Sequence, residues 1–140
     1  MEFQEFVKKS EGIEVSYHVT PEIYLGFQKI SKDFNPLHTD NIFAQEKGFA
    51  SVVMYGNILN LFVSHFVGMS LPDKNVMIQT QDIQYRKPVY LNDEILLKSS
   101  IDEVSEAVQC ICFKLKFYRV KVGAGQELVA SGHVSIGMLK

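Results

Sequence analysis

Four long segments in the second half of the chain alternate apolar and polar residues with the period of two that β-strands show. They span residues 76–87, 94–103, 107–122 and 127–138, and turns rich in Asn, Asp or Gly lie between them. A shorter segment of the same kind covers residues 14–19. Because tight turns join consecutive strands as antiparallel neighbours, the pattern predicts an antiparallel meander.

The first half of the chain carries signals that start helices. Thr20 is suited to cap a helix and Pro21 to occupy its first position, so a helix is predicted from there to about Ser31. Asp40 is expected to cap a second, short helix that ends near Gly48. The apolar face expected for the first helix consists of Ile23, Phe27 and Ile30.

Residues 56–71 are apolar on nearly every side, which predicts a helix that is buried on every side. One line of polar or small residues interrupts this pattern at spacings of three and four: Asn57, Asn60, Ser64 and Gly68. Two interpretations of the stripe stay open. Either its small side chains let the helix pack closely on a sheet, or it faces a polar pocket. A long helix laid on an antiparallel sheet predicts the α+β class.

The segment between the first two predicted helices carries the candidate chemistry. Asp33 and His38 flank Asn35-Pro36, and the proline favours a rigid bend over a helix. A bend of this kind can direct a carboxylate and an imidazole at one point, where they hold and deprotonate a water molecule. The same residue types are also common in turns, so a loop without chemistry is the competing interpretation.

Composition narrows the class of protein. The 140 residues are 46% hydrophobic and carry a net charge of -2, which predicts one domain over residues 1–140 with no general attraction to nucleic acid or membranes. Residues 1–12 do not resemble a signal peptide, and residues 58–71 are too few to span a bilayer, so we expect a soluble cytoplasmic protein. Cys110 and Cys112 fit buried thiols better than metal ligands, and no metal site is expected.

The motif around the candidate pair is specific. The segment from Asp33 to Asp40 reads Asp-x-Asn-Pro-x-His-x-Asp, and Phe43-Ala44 and Gly48-Phe49 follow it. It resembles the signature of the MaoC-like (R)-specific enoyl-CoA hydratases, which have a hot-dog fold with an antiparallel sheet wrapped around a long central helix. The likeness continues in two further segments, residues 53–56 and 85–95.

The resemblance implies an activity and a role for each site residue. The family adds water to trans-2-enoyl thioesters, or removes it from (3R)-3-hydroxyacyl thioesters. Asp33 and His38 would then share one water as base and proton donor, and the N–H of Gly56 would stabilise the thioester oxygen. Asn35 and Ser64 would support the pair, with Ser64 beside Asp33.

Two residues depart from the family pattern. Lys32 stands where a glycine usually precedes the aspartate, and Tyr55, expected in the pocket wall, stands where a histidine often precedes the helix-opening glycine. The first bears on the backbone of the loop and the second on the shape of the pocket.

The resemblance also implies what the protein works with. The substrate would be a coenzyme A or acyl-carrier-protein thioester, with no metal or redox cofactor, and the chain would form a homodimer or higher homo-oligomer. Two alternatives remain at this point: a hot-dog thioesterase, and a non-catalytic hot-dog subunit or acyl-binding module.

Overall fold

Five antiparallel strands form one sheet in the computed structural model, which describes residues 1–140. The strands are β1 (Glu14–His18), β2 (Val76–Tyr85), β3 (Glu94–Ser105), β4 (Cys110–Lys121) and β5 (Gly125–Met138). Their order across the sheet is β1-β3-β4-β5-β2. All five predicted strands are therefore present, and their bounds differ from the predicted ones by a few residues.

The predicted meander is wrong for β2. This strand pairs with β5, at the far side of the sheet from β1, and β3 lies three positions away. The connection over residues 86–93 crosses the end of the sheet instead of turning back on β2. Backbone hydrogen bonds fix this connection at two places. The N–H groups of Arg86 and Lys87 donate to the carbonyl of Val129 on β5, and Tyr90 forms an isolated bridge with Val53.

Five helices and one π-helical turn complete the fold. They are α1 (Phe3–Ser10), α2 (Pro21–Ser31), α3 (Pro36–Thr39), α4 (Asn41–Glu46), α5 (Ile58–His65) and the π-helical turn Phe66–Ser70. The predicted caps are confirmed: Thr20 accepts a hydrogen bond from the N–H of Ile23, and Asp40 accepts bonds from those of Ile42 and Phe43. None of these helices has the length and apolar character needed to cross a bilayer.

Helix α1 has no counterpart among the predicted elements. It buries Phe3 and Phe6 in the core and exposes the polar side chains between them. The short amphipathic pattern is obscured by the mixed charges of the segment.

The central helix lies on the inner face of the sheet. Its buried side chains lie on one side only, and Leu61 and Met69 are exposed, so the predicted burial on every side is wrong. On the buried side, Phe66 meets Phe113 of β4 edge to face with ring centroids 5.7 Å apart. Full burial of one such apolar side chain contributes about 1.5–3 kcal/mol, so this layer supplies much of the driving force for folding. The helix predicted over 56–71 begins two residues later and continues through the π-helical turn. The buried residues of this segment are Ile58, Leu59, Phe62, Val63, Phe66 and Val67.

The polar stripe of the central helix does not pack closely on the sheet and meets it through a polar contact, between Asn60 and Gln81 of β2. A Cβ added at Gly68 would meet no atom within 4 Å, and Ser64 is exposed. Asn60 bonds the side chains of Asn57 and Gln81. The close-packing interpretation is therefore wrong.

Three local expectations need correction. Helix α2 buries Tyr24, whereas Ile30 is 85% exposed. Residues Pro36–Thr39 form a short helical turn and not only a bend, because Pro36 occupies its first position and Asn35 caps it by accepting a bond from the N–H of Leu37. Cys110 and Cys112 are free thiols, but they are half-buried and not fully buried.

Candidate active site

A residue in the left-handed conformation ends helix α2 and begins the loop that carries Asp33. Lys32 has φ +59°, and its N–H donates to the carbonyl of Gln28 as a helix C-cap. Glycine is the residue that adopts this conformation without a steric penalty. The structure thus explains the departure at this position: the lysine keeps the loop backbone that glycine favours, at a cost of roughly 1–2 kcal/mol.

Asp33 presents one free carboxylate oxygen. Its Oδ1 accepts a bond from the N–H of Asn35 at 3.1 Å, while Oδ2 has no hydrogen-bond partner in the protein. Its backbone carbonyl accepts a bond from the hydroxyl of Tyr55 at 2.5 Å. Both the side chain and the backbone of Asp33 are therefore fixed, and the free oxygen is available to hold water.

His38 is anchored through one ring nitrogen. Its Nδ1 lies 2.6 Å from the carbonyl oxygen of Val53. Because a carbonyl only accepts, Nδ1 carries a proton, and Nε2 is the atom that exchanges protons. The hydroxyl of Tyr24 lies 2.7 Å from the backbone oxygen of His38 and 3.1 Å from that of Val53, which fixes the support of the ring.

Tyr55 connects the two groups. Its ring stacks on that of His38 with centroids 4.1 Å apart, and its hydroxyl is the donor to Asp33. Burial, with a smaller contribution from the charge of Asp33, raises the pKa of Tyr55, so the hydroxyl stays protonated and continues to donate. The side chain is 2% exposed. Tyr55 thus contacts both residues and holds them in position, and it also lines the cavity.

One cavity of about 320 Å³ collects the candidate residues. Asp33, His38, Tyr55 and Gly56 line it, together with Asn57 from the polar stripe. The N–H of Gly56 makes no hydrogen bond within the protein, and it lies two residues before the start of α5. A free N–H at the positive end of a helix is suited to stabilise negative charge on a substrate oxygen.

The two residues predicted to support the pair, Asn35 and Ser64, differ in their distance from it in the structure: one contacts Asp33 and the other does not. Asn35 lies directly behind Asp33, because its N–H holds the carboxylate and its side chain caps α3. Ser64 is exposed on α5, does not line the cavity and makes no hydrogen bond to Asp33. The structure therefore does not bring Ser64 to the pair within this chain.

Sequence reasoning missed three parts of the site. The carbonyl of Val53 and the hydroxyl of Tyr24 orient His38, and the ring of Tyr85 stands against Gly56. A Cβ on Gly56 would lie 2.9 Å from ring atoms of Tyr85. Val53 and Tyr85 open the two further family-like segments, residues 53–56 and 85–95, whereas Tyr24 has no such signal in the sequence.

Proteins of known sequence resemble the chain over much of its length. The (R)-specific enoyl-CoA hydratase of Aeromonas caviae is 31% identical over 80 residues, which cover 57% of this chain and 60% of that protein. The 3-hydroxybutyryl-CoA dehydratase of Methylorubrum extorquens is 28% identical over 121 residues, or 83% of this chain and 71% of that protein. The match to the first of these relatives thus spans less than two thirds of its length.

Solved structures share the fold. The (R)-hydratase from A. caviae superposes with a TM-score of 0.79 at 23% identity, covering 91% of this chain and 94% of that one. An R-hydratase from Pseudomonas aeruginosa gives 0.78 at 19% identity, covering 96% and 85%. These likenesses confirm the hot-dog fold. Residues 2–122 match the family model described as "MaoC like domain". The chain therefore belongs to the MaoC-like domain family.

Proposed function

We propose that the chain is an (R)-specific enoyl-thioester hydratase that also runs in reverse as a (3R)-3-hydroxyacyl-thioester dehydratase. One observation carries the proposal: Asp33, His38 and Gly56, whose N–H makes no hydrogen bond within the protein, line one cavity. The names of the related hydratases and dehydratases support the same reaction.

In the hydration direction, a water molecule lies between Asp33 and His38. The carboxylate of Asp33 removes a proton as the water oxygen bonds to Cβ of the trans-2-enoyl thioester. The Cα–Cβ double bond breaks, and Nε2 of the His38 imidazolium delivers a proton to Cα on the same face. Proton transfer by positioned groups of this kind contributes about 10²–10⁴-fold.

Negative charge develops on the thioester oxygen while the C–O bond forms. The N–H of Gly56 has no competing acceptor in the chain and lies two residues before the positive end of α5, so it is suited to stabilise the enolate. Loss of one such donor costs about 10²–10³-fold in turnover.

The reverse reaction uses the same atoms in exchanged roles. Because Nδ1 of His38 is anchored to Val53, the lone pair of Nε2 accepts the α-proton of the 3-hydroxyacyl thioester. Protonated Asp33 then gives its proton to the departing hydroxyl, which leaves as water. Both directions require the pair to hold one proton in total, and proton balance needs no metal or redox cofactor. The substrate is carried as a coenzyme A or acyl-carrier-protein thioester.

We also propose that two copies of the chain associate. The outer edge of β2 is unpaired, because β5 is its only neighbour. An open edge of ten residues favours pairing with another strand, and a twofold axis would join two β2 strands into one continuous sheet. Met77 on β2 and Met69 on the adjacent π-helical turn are exposed large apolar side chains that such an association would cover.

The proposed reaction is tested with purified protein and trans-2-butenoyl-CoA. Hydration removes the absorbance of the conjugated enoyl thioester, and a thiol reagent in parallel samples measures released coenzyme A. We expect absorbance loss without thiol release and an (R)-configured product on chiral analysis. In Asp33→Asn, neither the absorbance loss nor the hydrated product should be seen. Thiol release at the rate of absorbance loss would establish a thioesterase instead, and a folded protein without either change would be an acyl-binding module.

A further inference from the structure

A second, apolar cavity of about 350 Å³ adjoins the one that holds the catalytic pair. Its size falls within the range of roughly 300–1,000 Å³ found for ligand pockets. Val53, Leu59 and Val129 are among its mainly hydrophobic lining residues. Gly56 and Tyr85 are the residues that line both cavities. The two spaces therefore meet at a neck, which these two residues form.

The ring of Tyr85 fills this neck. Its Cε1 and Cζ atoms would lie 2.9 Å from a Cβ on Gly56, so the ring stands directly against the Gly56 backbone. Tyr85 is the last residue of the edge strand β2, and it is 52% exposed. The hydroxyl lies beside the side chain of Asn60. A ring held at a strand end and open to solvent on one side can swing away without disturbing the core.

The lining of the second cavity suits a hydrocarbon. The backbone N–H groups of Met54, Arg86 and Lys87 all donate to carbonyls of the chain. The side chain of Arg86 bonds Ser131, and that of Lys87 pairs with Glu127. Few polar groups are left to bind a ligand. A pantetheine arm carries two amides that need partners when desolvated, whereas an acyl tail requires only apolar surface.

We propose that Tyr85 sets the acyl-chain length that the enzyme accepts, an inference that rests on the proposed function. A thioester whose oxygen is bound at Gly56 places its acyl tail at the neck. With the ring in place, only a short tail stays within the catalytic cavity. A longer tail reaches the apolar cavity only after the ring moves, so the substrate class is short-chain enoyl thioesters.

The test compares kcat/KM for four-carbon and ten-carbon trans-2-enoyl-CoA in three variants. Tyr85→Ala should raise the ten-carbon to four-carbon ratio by at least about tenfold, because apolar contacts of even one methylene are worth about that much. Tyr85→Trp should lower the ratio, and Tyr85→Phe, which keeps the ring and removes the hydroxyl, should leave it near the wild-type value. Equal ratios in the wild type and Tyr85→Ala would overturn the proposal.

Binding separates this inference from the proposed function. Saturated butanoyl-CoA and decanoyl-CoA undergo no hydration, so calorimetric titration reports access to the cavity whether or not the chain is catalytic. Tyr85→Ala should bind decanoyl-CoA about tenfold more tightly relative to butanoyl-CoA. If the wild type hydrates neither of the two enoyl substrates, the proposed reaction is wrong. If it hydrates them, while Tyr85→Ala leaves both the kinetic and the binding ratio unchanged, the role of Tyr85 is wrong.

Discussion

Replacing Tyr55 by phenylalanine tests whether the hydroxyl of Tyr55 holds Asp33 in position beside His38. The substitution removes the 2.5 Å hydrogen bond to the carbonyl of Asp33 and keeps the ring that stacks on His38. One hydrogen bond contributes about 0.5–1.5 kcal/mol, and Asp33 is an exposed residue, so solvent can take over part of the lost bond. We therefore expect a loss of about 1 kcal/mol in the free energy of unfolding, which lowers Tm by about 3 °C in a chain of this size.

The effect on catalysis follows from the position of the bond. If Asp33 loses its fixed orientation, kcat should fall about fivefold, the equivalent of about 1 kcal/mol, with little change in KM. Tyr118→Phe is the matched control, because Tyr118 lies on β4, away from the cavity. The assays are steady-state kinetics on trans-2-butenoyl-CoA and thermal unfolding followed by circular dichroism. Wild-type kcat and Tm in Tyr55→Phe would refute this positioning role of the Tyr55 hydroxyl.

Four further predictions follow from the site. Asp33→Asn should lower kcat/KM by at least about 10²-fold in a folded protein, and near-normal turnover would remove Asp33 from the mechanism. His38→Gln should have a similar effect, with the double variant little worse than either single one; multiplicative losses in kinetic measurements would mean that the two groups act in separate steps. Gly56→Val should depress turnover strongly, because its side chain displaces Tyr85 and covers the N–H; adding Tyr85→Ala relieves only the first effect and should not restore activity. Lys32→Gly should raise the free energy of unfolding by about 1 kcal/mol, measured by urea denaturation, and an unchanged or lower value would contradict the cost assigned to its left-handed backbone.

Local patterns in the sequence predict most elements of this fold and leave their order across the sheet open. Alternation predicts a strand over residues 76–87, close to the observed β2, but it contains no information about which strand lies beside it. The crossover depends on contacts that are distant in sequence, such as those between residues 86–87 and Val129. Helix α1 shows a different limit: its local signals, a buried Phe3 and Phe6 on one face and Glu5 four residues before Lys9, are confined to eight residues and are easily overlooked.

The candidate site likewise has parts that the sequence predicts and parts that it leaves open. Asp33, His38 and Gly56 are predictable because their types and spacing match a specific motif, and the structure brings them to one cavity. The group that orients His38 is a backbone carbonyl, and every residue type has one, so the family-like segment 53–56 does not reveal that Val53 has this role. Ser64 illustrates the limit of carrying a role over by spacing, since it neither lines the cavity nor bonds Asp33 in this chain, although Asn57 of the same stripe lines it.

The fate of the oxygen atom of water tests the proposed reaction most directly. The protein is incubated with trans-2-butenoyl-CoA in ¹⁸O-labelled water, and the products are analysed by mass spectrometry. We predict intact 3-hydroxybutanoyl-CoA with one ¹⁸O at C3, formed by the wild type and not by Asp33→Asn. Label in a free carboxylate, accompanied by released coenzyme A, would contradict the assignment of Asp33 and His38 to hydration.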